Sequence, residues 1–168
     1  MENQTTGFEI EKKFLIAYPD LSLLEKTADR KLFLEQTYLL SEEGERARVR
    51  KITEEEKVTY IKTTKRKISA MRRIETEEII SAEAYYTELK KADPKRRKIE
   101  KTRYVISHEN HRLEIDVFPF WSDKAFLEIE LSDEAESFSI PSVFRVLRDV
   151  TEDSRYTNAS LALSLPEE

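Results

Sequence analysis

The chain has 168 residues, 38% of them charged, and its 29 Lys and Arg against 34 Asp and Glu leave a net charge of -5. That length suits one domain with a sizeable core, and 39% hydrophobic with 10% aromatic residues argues against wholesale disorder. The acidic balance argues against a general binder of nucleic acid or anionic membranes, the lack of Cys removes disulfides and thiolate metal sites, and 2 glycines leave no material for a P-loop or a dinucleotide-binding loop.

No run approaches the roughly 18 apolar residues of a membrane span and the N-terminus carries no hydrophobic signal region, which predicts a cytoplasmic protein. The first predicted element is a strand around Glu9-Ile10-Glu11-Lys12-Lys13. Side chains alternate along a strand, so Glu9, Glu11 and Lys13 share one face while Phe8, Ile10 and Lys12 take the other. Two carboxylates about 7 Å apart repel by roughly 2.4 kcal/mol at an effective dielectric near 20, and a divalent cation would relieve that cost. Pro19 and Asp20 then mark a helix start, with Leu21, Leu24 and Ala28 as its apolar stripe.

Lys31 to Leu40 predicts a strand with Gln36 and Tyr38 on one face, and Ser41 to Gly44 a hairpin loop. Strands follow at Arg46 to Ile52, with Arg46, Arg48 and Arg50 on one face, and at Lys57 to Thr64, where Lys62 lies with Tyr60. Lys65-Arg66-Lys67 is read as part of a solvated basic loop, and Arg73 to Ile80 as a strand that groups Arg73, Glu75 and Glu77. Ser81 caps a helix carrying Ala82, Tyr85, Tyr86 and Leu89, which Asp93-Pro94 ends. Three more strands are predicted at about Arg97 to Ser107 (Lys101, Arg103), Arg112 to Phe118 (Glu114, Asp116) and Phe126 to Leu131 (Glu128, Glu130). From Pro141, the spacing of Val143, Val146, Leu147 and Val150 predicts a helix, and Ser154 to Leu163 a closing one.

The charge sorting carries the argument. Solvated faces intersperse the two signs, whereas here carboxylates recur in pairs two residues apart and cations do the same, each with apolar or small residues on the opposite parity. About eight strands with two or three helices therefore predict a single α+β domain over 1–168, an eight-stranded antiparallel β-barrel with a charged interior, flanked by a few helices. Clustered carboxylates with no Cys, and with only His108 and His111, favour hard oxygen-liganded cations, Mg²⁺ or Mn²⁺. Facing them, Arg and Lys offer bidentate and point-charge contacts to phosphate oxygens. A carboxylate-held cation opposite a cationic wall suits a polyphosphate and phosphoryl transfer.

The ordered motifs Glu9-x-Glu11-x-Lys13, Gln36-x-Tyr38, Glu45-Arg46-x-Arg48-x-Arg50, Tyr60-Ile61-Lys62 and Arg73-x-Glu75-x-Glu77 resemble those of the CYTH superfamily, the triphosphate tunnel metalloenzymes. So do Ile99-Glu100-Lys101-Thr102-Arg103-Tyr104, Glu114-Ile115-Asp116-Val117-Phe118, Leu127-Glu128-Ile129-Glu130-Leu131, and Asp149-Val150-Thr151 through Arg155-Tyr156-x-Asn158-x-x-Leu161-Ala162. The resemblance runs from about residue 7 to 163 and is similar to that of short bacterial inorganic triphosphatases. It implies a tunnel that binds a small-molecule triphosphate with divalent metal and hydrolyses it. By motif, Glu9, Glu11, Glu128 and Glu130 would hold one metal, with Glu75, Glu77, Glu114 and Asp116 available to a second metal or the attacking water. Lys13, Arg46, Arg48, Arg50, Lys62, Arg73, Lys101, Arg103 and Arg155 would contact phosphates, and Lys13 with Tyr38 would orient or deprotonate water. The resemblance departs at Thr63-Thr64, where a glycine is common, and at Leu113, where an aromatic is. Homodimerisation is a family-level expectation, with no interface visible in the residues. The other readings are a class IV adenylate cyclase, a thiamine triphosphatase and a non-catalytic polyphosphate-binding module. Trp121 is read as a packing residue.

Overall fold

The structure, a computed structural model, describes residues 4–69 and 71–167. Its first strand, β1 (Gln4–Ala17), is 14 residues long and changes partners halfway. Residues Gln4 to Ile10 pair with β5 (Arg72–Ile80), and Glu11 to Ala17 pair with β8 (Lys124–Glu130). Between them the chain forms β2 (Arg30–Tyr38), β3 (Glu45–Glu54), β4 (Lys57–Lys67), β6 (Ile99–His108) and β7 (His111–Val117), in the antiparallel order β5-β4-β3-β2-β6-β7-β8-β1. Because β1 pairs with both β5 and β8, the eight strands close on themselves, which leaves no long free edge among the described residues.

The ninth strand, β9 (Val146–Asp149), corrects the helix expected after Pro141. Its backbone pairs with Phe14, Leu15 and Ile16, on the stretch of β1 that β5 has left, and so satisfies hydrogen-bonding groups that would otherwise stand open. The apolar residues whose spacing suggested a helix find no common core: Val143, Val146 and Leu147 are exposed, and only Val150 is buried. The expected closing helix breaks likewise into a 3₁₀ turn, Ser154–Tyr156, and a single turn, α3 (Asn158–Leu161). Thr157 between them is extended, and its side chain caps α3 by accepting from the Ser160 amide. β4 also runs three residues beyond its expected end, so Lys65-Arg66-Lys67 is strand and not loop.

The outer parity is apolar. Phe14, Ile16, Leu113, Ile115, Leu127 and Ile129 point outward and pack beneath Leu24 of α1 (Leu21–Thr27) and Phe144 of the returning chain. Burying each such side chain contributes about 1.5–3 kcal/mol. On the opposite flank α2 (Ala82–Glu88) sets Tyr85 over Val49 and against Tyr60, with ring centroids 4.8 Å apart. A third cluster, Leu15, Tyr38, Phe118, Trp121, Phe126, Tyr156 and Leu161, stops one end of the barrel with the C-terminal segment, and Trp121 is a packing residue within it. Among the described residues, no helix is long and apolar enough to cross a membrane.

α2 is short and depends on its cap. Ser81 Oγ accepts from the Ala84 amide at 3.1 Å. Ser81→Ala is expected to lower stability by about 1 kcal/mol, read as a shift in urea midpoint at constant slope.

Candidate active site

Inside the barrel the inward parity is charged on nearly every strand. β1 supplies Glu9, Glu11 and Lys13, β3 Arg46, Arg48 and Arg50, β5 Arg73, Glu75 and Glu77, β6 Lys101 and Arg103, and β8 Glu128 and Glu130. Register decides how these charges meet. Glu9 lies opposite Arg73, Lys65 opposite Glu75, Arg103 opposite Asp116 and Lys13 opposite Glu128, so opposite signs face across neighbouring strands. At Glu11 opposite Glu130 and Glu114 opposite Glu128, carboxylate faces carboxylate.

Two cavities fill this interior. The first, about 570 Å³, opens between the loop 41–46 and the C-terminal segment 151–160, and its wall includes Lys13, Arg46, Lys67, Arg73 and Lys101. The second, about 410 Å³, opens at the start of β1 and is walled by Glu9, Glu75, Glu77, Glu114 and Glu130. They meet at Glu11, Arg48, Arg50, Lys65, Arg103 and Glu128, which line both.

The ionic contacts show which groups are committed. Asp116, fully buried, accepts from Arg103 Nε at 2.7 Å and Arg103 Nη2 at 2.9 Å, and Lys101 Nζ stands 2.8 Å from its Oδ2. Both oxygens are thus taken by cations. Arg103 also reaches Glu114, and Lys101 Nζ donates to Asn158 Oδ1 at 3.1 Å. Lys65 Nζ donates to both oxygens of Glu9, at 2.9 and 3.2 Å, and lies 3.7 Å from Glu75. Lys13 Nζ donates to the Tyr156 carbonyl at 3.2 Å and lies 3.5 Å from Glu128. Arg50 Nε donates to Gln36 Oε1, and Gln36 Nε2 to Tyr38 Oη, which fixes the phenol. Arg48 Nε is buried without a hydrogen-bond partner.

Three of the expected residues stand elsewhere. Asp116, expected to serve a metal or the attacking water, lines neither cavity, because Arg103 and Lys101 take both of its oxygens. Lys62 is on the outer face, where it donates to Glu88 of α2 at 3.2 Å. It shares the parity of Tyr60, which packs under α2, and the outer parity of this barrel is the apolar one; Lys65 and Lys67 take the inner positions. The Tyr60 side chain was the available signal for this assignment. Arg155 chelates Asp153 at 2.9 and 2.6 Å, stacks on Tyr156, and does not line either cavity. Asn158 and the Tyr156 carbonyl, which hold Lys101 and Lys13, carry no charge pattern in sequence that would single them out.

The electrostatics follow the geometry. Burial, then Glu128 and Glu9, push the Glu11 carboxyl up to about 8. Burial, then Glu9, Glu114 and Glu75, raise Glu130. Burial acts to raise Glu128 as well, yet Lys13 holds it below its ordinary value. Burial likewise opposes the charge on Asp116, and Arg103 and Lys101 overcome it, keeping that carboxylate far below the usual range. Burial draws Lys101 down to about 7 against the pull of Asp116, and Arg50 down to about 9, assisted by Arg48 and Arg103. Among the described residues no three carboxylates already converge as a cation cage. The donor chemistry nevertheless fits a hard divalent ion: the candidate ligands are carboxylate oxygens, Glu11 faces Glu130, and burial with the neighbouring carboxylates makes Glu11 resist ionisation.

A closed antiparallel barrel with cations and carboxylates sorted along its interior is a tunnel fold, and the CYTH domain family matches residues 7–162. The chain belongs to the CYTH family. Its structure is similar to the inorganic triphosphatase NE1496, with 32% identity over 95% of this chain and 97% of that one and a TM-score of 0.58. It also shares the fold of PH1819 from Pyrococcus horikoshii OT3, at 22% identity over 76% of this chain and 80% of that one and a TM-score of 0.58. PH1012 from the same organism shows it at 20% identity, over 75% and 80%, with a TM-score of 0.57. No curated protein matches the chain significantly.

Proposed function

We propose that this protein hydrolyses a linear triphosphate, inorganic triphosphate first, to pyrophosphate and phosphate, with Mg²⁺ or Mn²⁺. The observation that carries the reading is the junction of the two cavities, where Arg48, Arg50, Lys65 and Arg103 stand beside Glu11 and Glu128 in one passage. The 32% identity with an inorganic triphosphatase supports it. Lys13, Arg46, Arg48, Arg50, Lys65, Arg73, Lys101 and Arg103 would hold the phosphates. Glu9, Glu11, Glu128 and Glu130 would hold the metal, and Asp116 would act as the positioning group that fixes Arg103 and Lys101. When bound, the divalent ion neutralises phosphate oxygens and acidifies water. Lys13 and Tyr38 orient the water that forms the new P–O bond at the terminal phosphorus. The bridging P–O bond to pyrophosphate breaks, the attacking water's proton passes to bulk solvent, and the cationic wall takes up the charge that develops on the leaving oxygen. Residues 1–168 act as one functional domain in this reading.

Tyr38 is the sole aromatic among the described residues lining the first cavity, and it is buried, so the first cavity offers no platform to a purine. This favours inorganic triphosphate over ATP. The test is release of phosphate from inorganic triphosphate, ATP and thiamine triphosphate with Mg²⁺, Mn²⁺ or chelator, with cyclic AMP monitored in the ATP arm. Metal-dependent release favouring inorganic triphosphate is expected; cyclic AMP with pyrophosphate would replace the hydrolase by a cyclase. Metal-dependent binding without turnover would leave a receptor module.

Two substitutions separate the faces of β4. Lys65→Ala is expected to raise KM for triphosphate about tenfold or more, the loss of one charge-assisted phosphate contact. Lys62→Ala, on the outer face, is expected to leave KM within about twofold, since it loses only a partly buried ion pair to Glu88 of α2, away from both cavities. Equal effects would mean that β4 turns its other face to substrate. Tyr38→Phe with unchanged kcat would remove Tyr38 from the chemistry.

A further inference from the structure

The cations of the passage are held in two chemically different ways. Arg103 and Lys101 are held by a carboxylate, Asp116, which offsets part of their charge. Arg50 is held by an amide: it forms no salt bridge among the described residues, and its Nε donates to Gln36 Oε1 at 2.9 Å. Gln36 is fully buried, sits directly opposite Arg50 in the β2–β3 register and lines neither cavity. A guanidinium carries donors and no acceptor, so Oε1 has to face Arg50 and the amide nitrogen has to face away from it. That nitrogen donates to the oxygen of Tyr38, the next inward residue of β2, at 3.0 Å. Opposite Tyr38 on β3 stands Arg48, again a donor with no acceptor. The phenolic hydrogen therefore has no protein acceptor among the described residues, and it is left to the first cavity, which Tyr38 lines.

We propose that Gln36 is a positioning residue that sets the direction of the hydrogen-bond chain from Arg50 through Gln36 to Tyr38, and so makes Tyr38 a donor to an oxygen of the bound triphosphate or of its attacking water. The inference rests on the hydrolase reading above and adds the group that orients Tyr38. The neutrality of the amide is what suits it to the position. A carboxylate there would hold Arg50 as firmly but offset its charge, and so weaken its pull on phosphate. It would also accept from Tyr38 where the amide donates, turning the phenolic hydrogen away from the cavity. With Gln36 in place Arg50 keeps its charge for substrate and Tyr38 keeps its proton pointed at the site. A phenol held in this way orients water and does not take its proton.

The experiment measures kcat and KM for inorganic triphosphate with Mg²⁺ in Gln36→Glu and Gln36→Met, each alone and combined with Tyr38→Phe, with a thermal melt to establish that each variant is folded. Gln36→Glu is expected to lower kcat about tenfold or more, the loss of one hydrogen bond to a charged partner, and to raise KM through Arg50. In the Tyr38→Phe background the same substitution is expected to move kcat by less than about twofold while its effect on KM persists. That split separates positioning from damage to the barrel, because a structural defect would lower kcat whether or not the hydroxyl is there. Gln36→Met keeps the length without donor or acceptor and should lower kcat with the same dependence on Tyr38, so the test stands even if Gln36→Glu does not fold. Equal falls in the two backgrounds, an unchanged kcat in the Gln36 variants, or a Tyr38→Phe protein as active as the wild type would each overturn the proposal. Should the wild type not turn over triphosphate at all, the hydrolase reading fails by itself. The orientation of Tyr38 is then read by calorimetric titration with triphosphate: Gln36→Glu is expected to weaken binding about tenfold more in the presence of Tyr38 than in the Tyr38→Phe background, and equal losses would overturn it.

Discussion

Glu11→Gln is expected to lower metal-dependent phosphate release by about 10²–10⁴-fold while making the metal-free protein more stable above neutral pH. The first half follows from the several kcal/mol of charge stabilisation that a bound cation supplies, at tenfold in rate for each ~1.4 kcal/mol. Glutamine keeps the shape of the ligand and loses its charge. The second half follows from the site before metal arrives: Glu11 faces Glu130, with Glu9 and Glu128 close by, and its compensating contact, Arg73 Nη1, stands off at 3.8 Å. The folded protein therefore keeps a proton on Glu11 up to about pH 8, whereas the unfolded chain releases it near 4.5. A folded state that binds more protons loses stability as pH rises, so this cost is absent below about 4.5, grows between 4.5 and 8, and is complete above 8. Glutamine does not titrate and escapes it. Thermal unfolding in chelator across that range should show the two proteins converging at the acid end and the variant melting higher at the alkaline end. Added Mg²⁺ should raise the wild-type midpoint and leave that of the variant nearly unmoved. Undiminished metal-dependent release by the variant would remove Glu11 from the metal site.

The charged interior was legible in sequence because strand periodicity is two and the two signs fall on one parity, as Glu9/Glu11, Glu75/Glu77 and Glu128/Glu130 do. Closure into a barrel was legible from the same pattern, since a face that dense in charge needs an enclosure and the opposite face was mostly apolar, Lys12 and Lys62 apart. What failed was local. Lys62 was grouped inside although Tyr60, on the same parity, belonged to the apolar outside; Lys65 was set aside as loop because β4 was ended too early. The stretch after Pro141 misled for a different reason. Val143, Val146, Leu147 and Val150 have helical spacing, but their conformation is decided by the open edge of β1 at Phe14 to Ile16, more than a hundred residues away in sequence. Nor could parity tell which carboxylates are free. Asp116 and Glu128 both point inward, and only the register that sets Arg103 opposite Asp116 shows that Asp116 is already spent on cations.

That commitment gives Asp116→Ala the largest expected cost to the fold, about 3–5 kcal/mol, because it strands two buried cations. Lys101 is 1% exposed and would retain only Asn158; Arg103 would retain Glu114. In a chain of this size the loss corresponds to a fall in melting temperature of roughly 6–20 °C. The penalty has a defined pH dependence. Asp116 is held far below its ordinary 3.8 in the folded protein, so its contribution is fully present above that value and is lost as pH falls beneath it; the gap between wild type and variant should be constant at neutral pH and narrow in acid. Asp116→Ala/Lys101→Met tests the cause. Removing the second buried cation should restore part of the loss, since an apolar side chain of similar length costs less there than an ammonium without its carboxylate. If Asp116→Ala costs less than about 1 kcal/mol, Glu114 and Asn158 suffice to hold the cations and Asp116 is free for another role. If the cost is large and Asp116→Asn recovers only a small part of it, charge and not hydrogen-bond geometry holds the cationic wall in place. The phosphate contacts proposed for Arg103 and Lys101 would then depend on a carboxylate whose two oxygens are already taken by those cations.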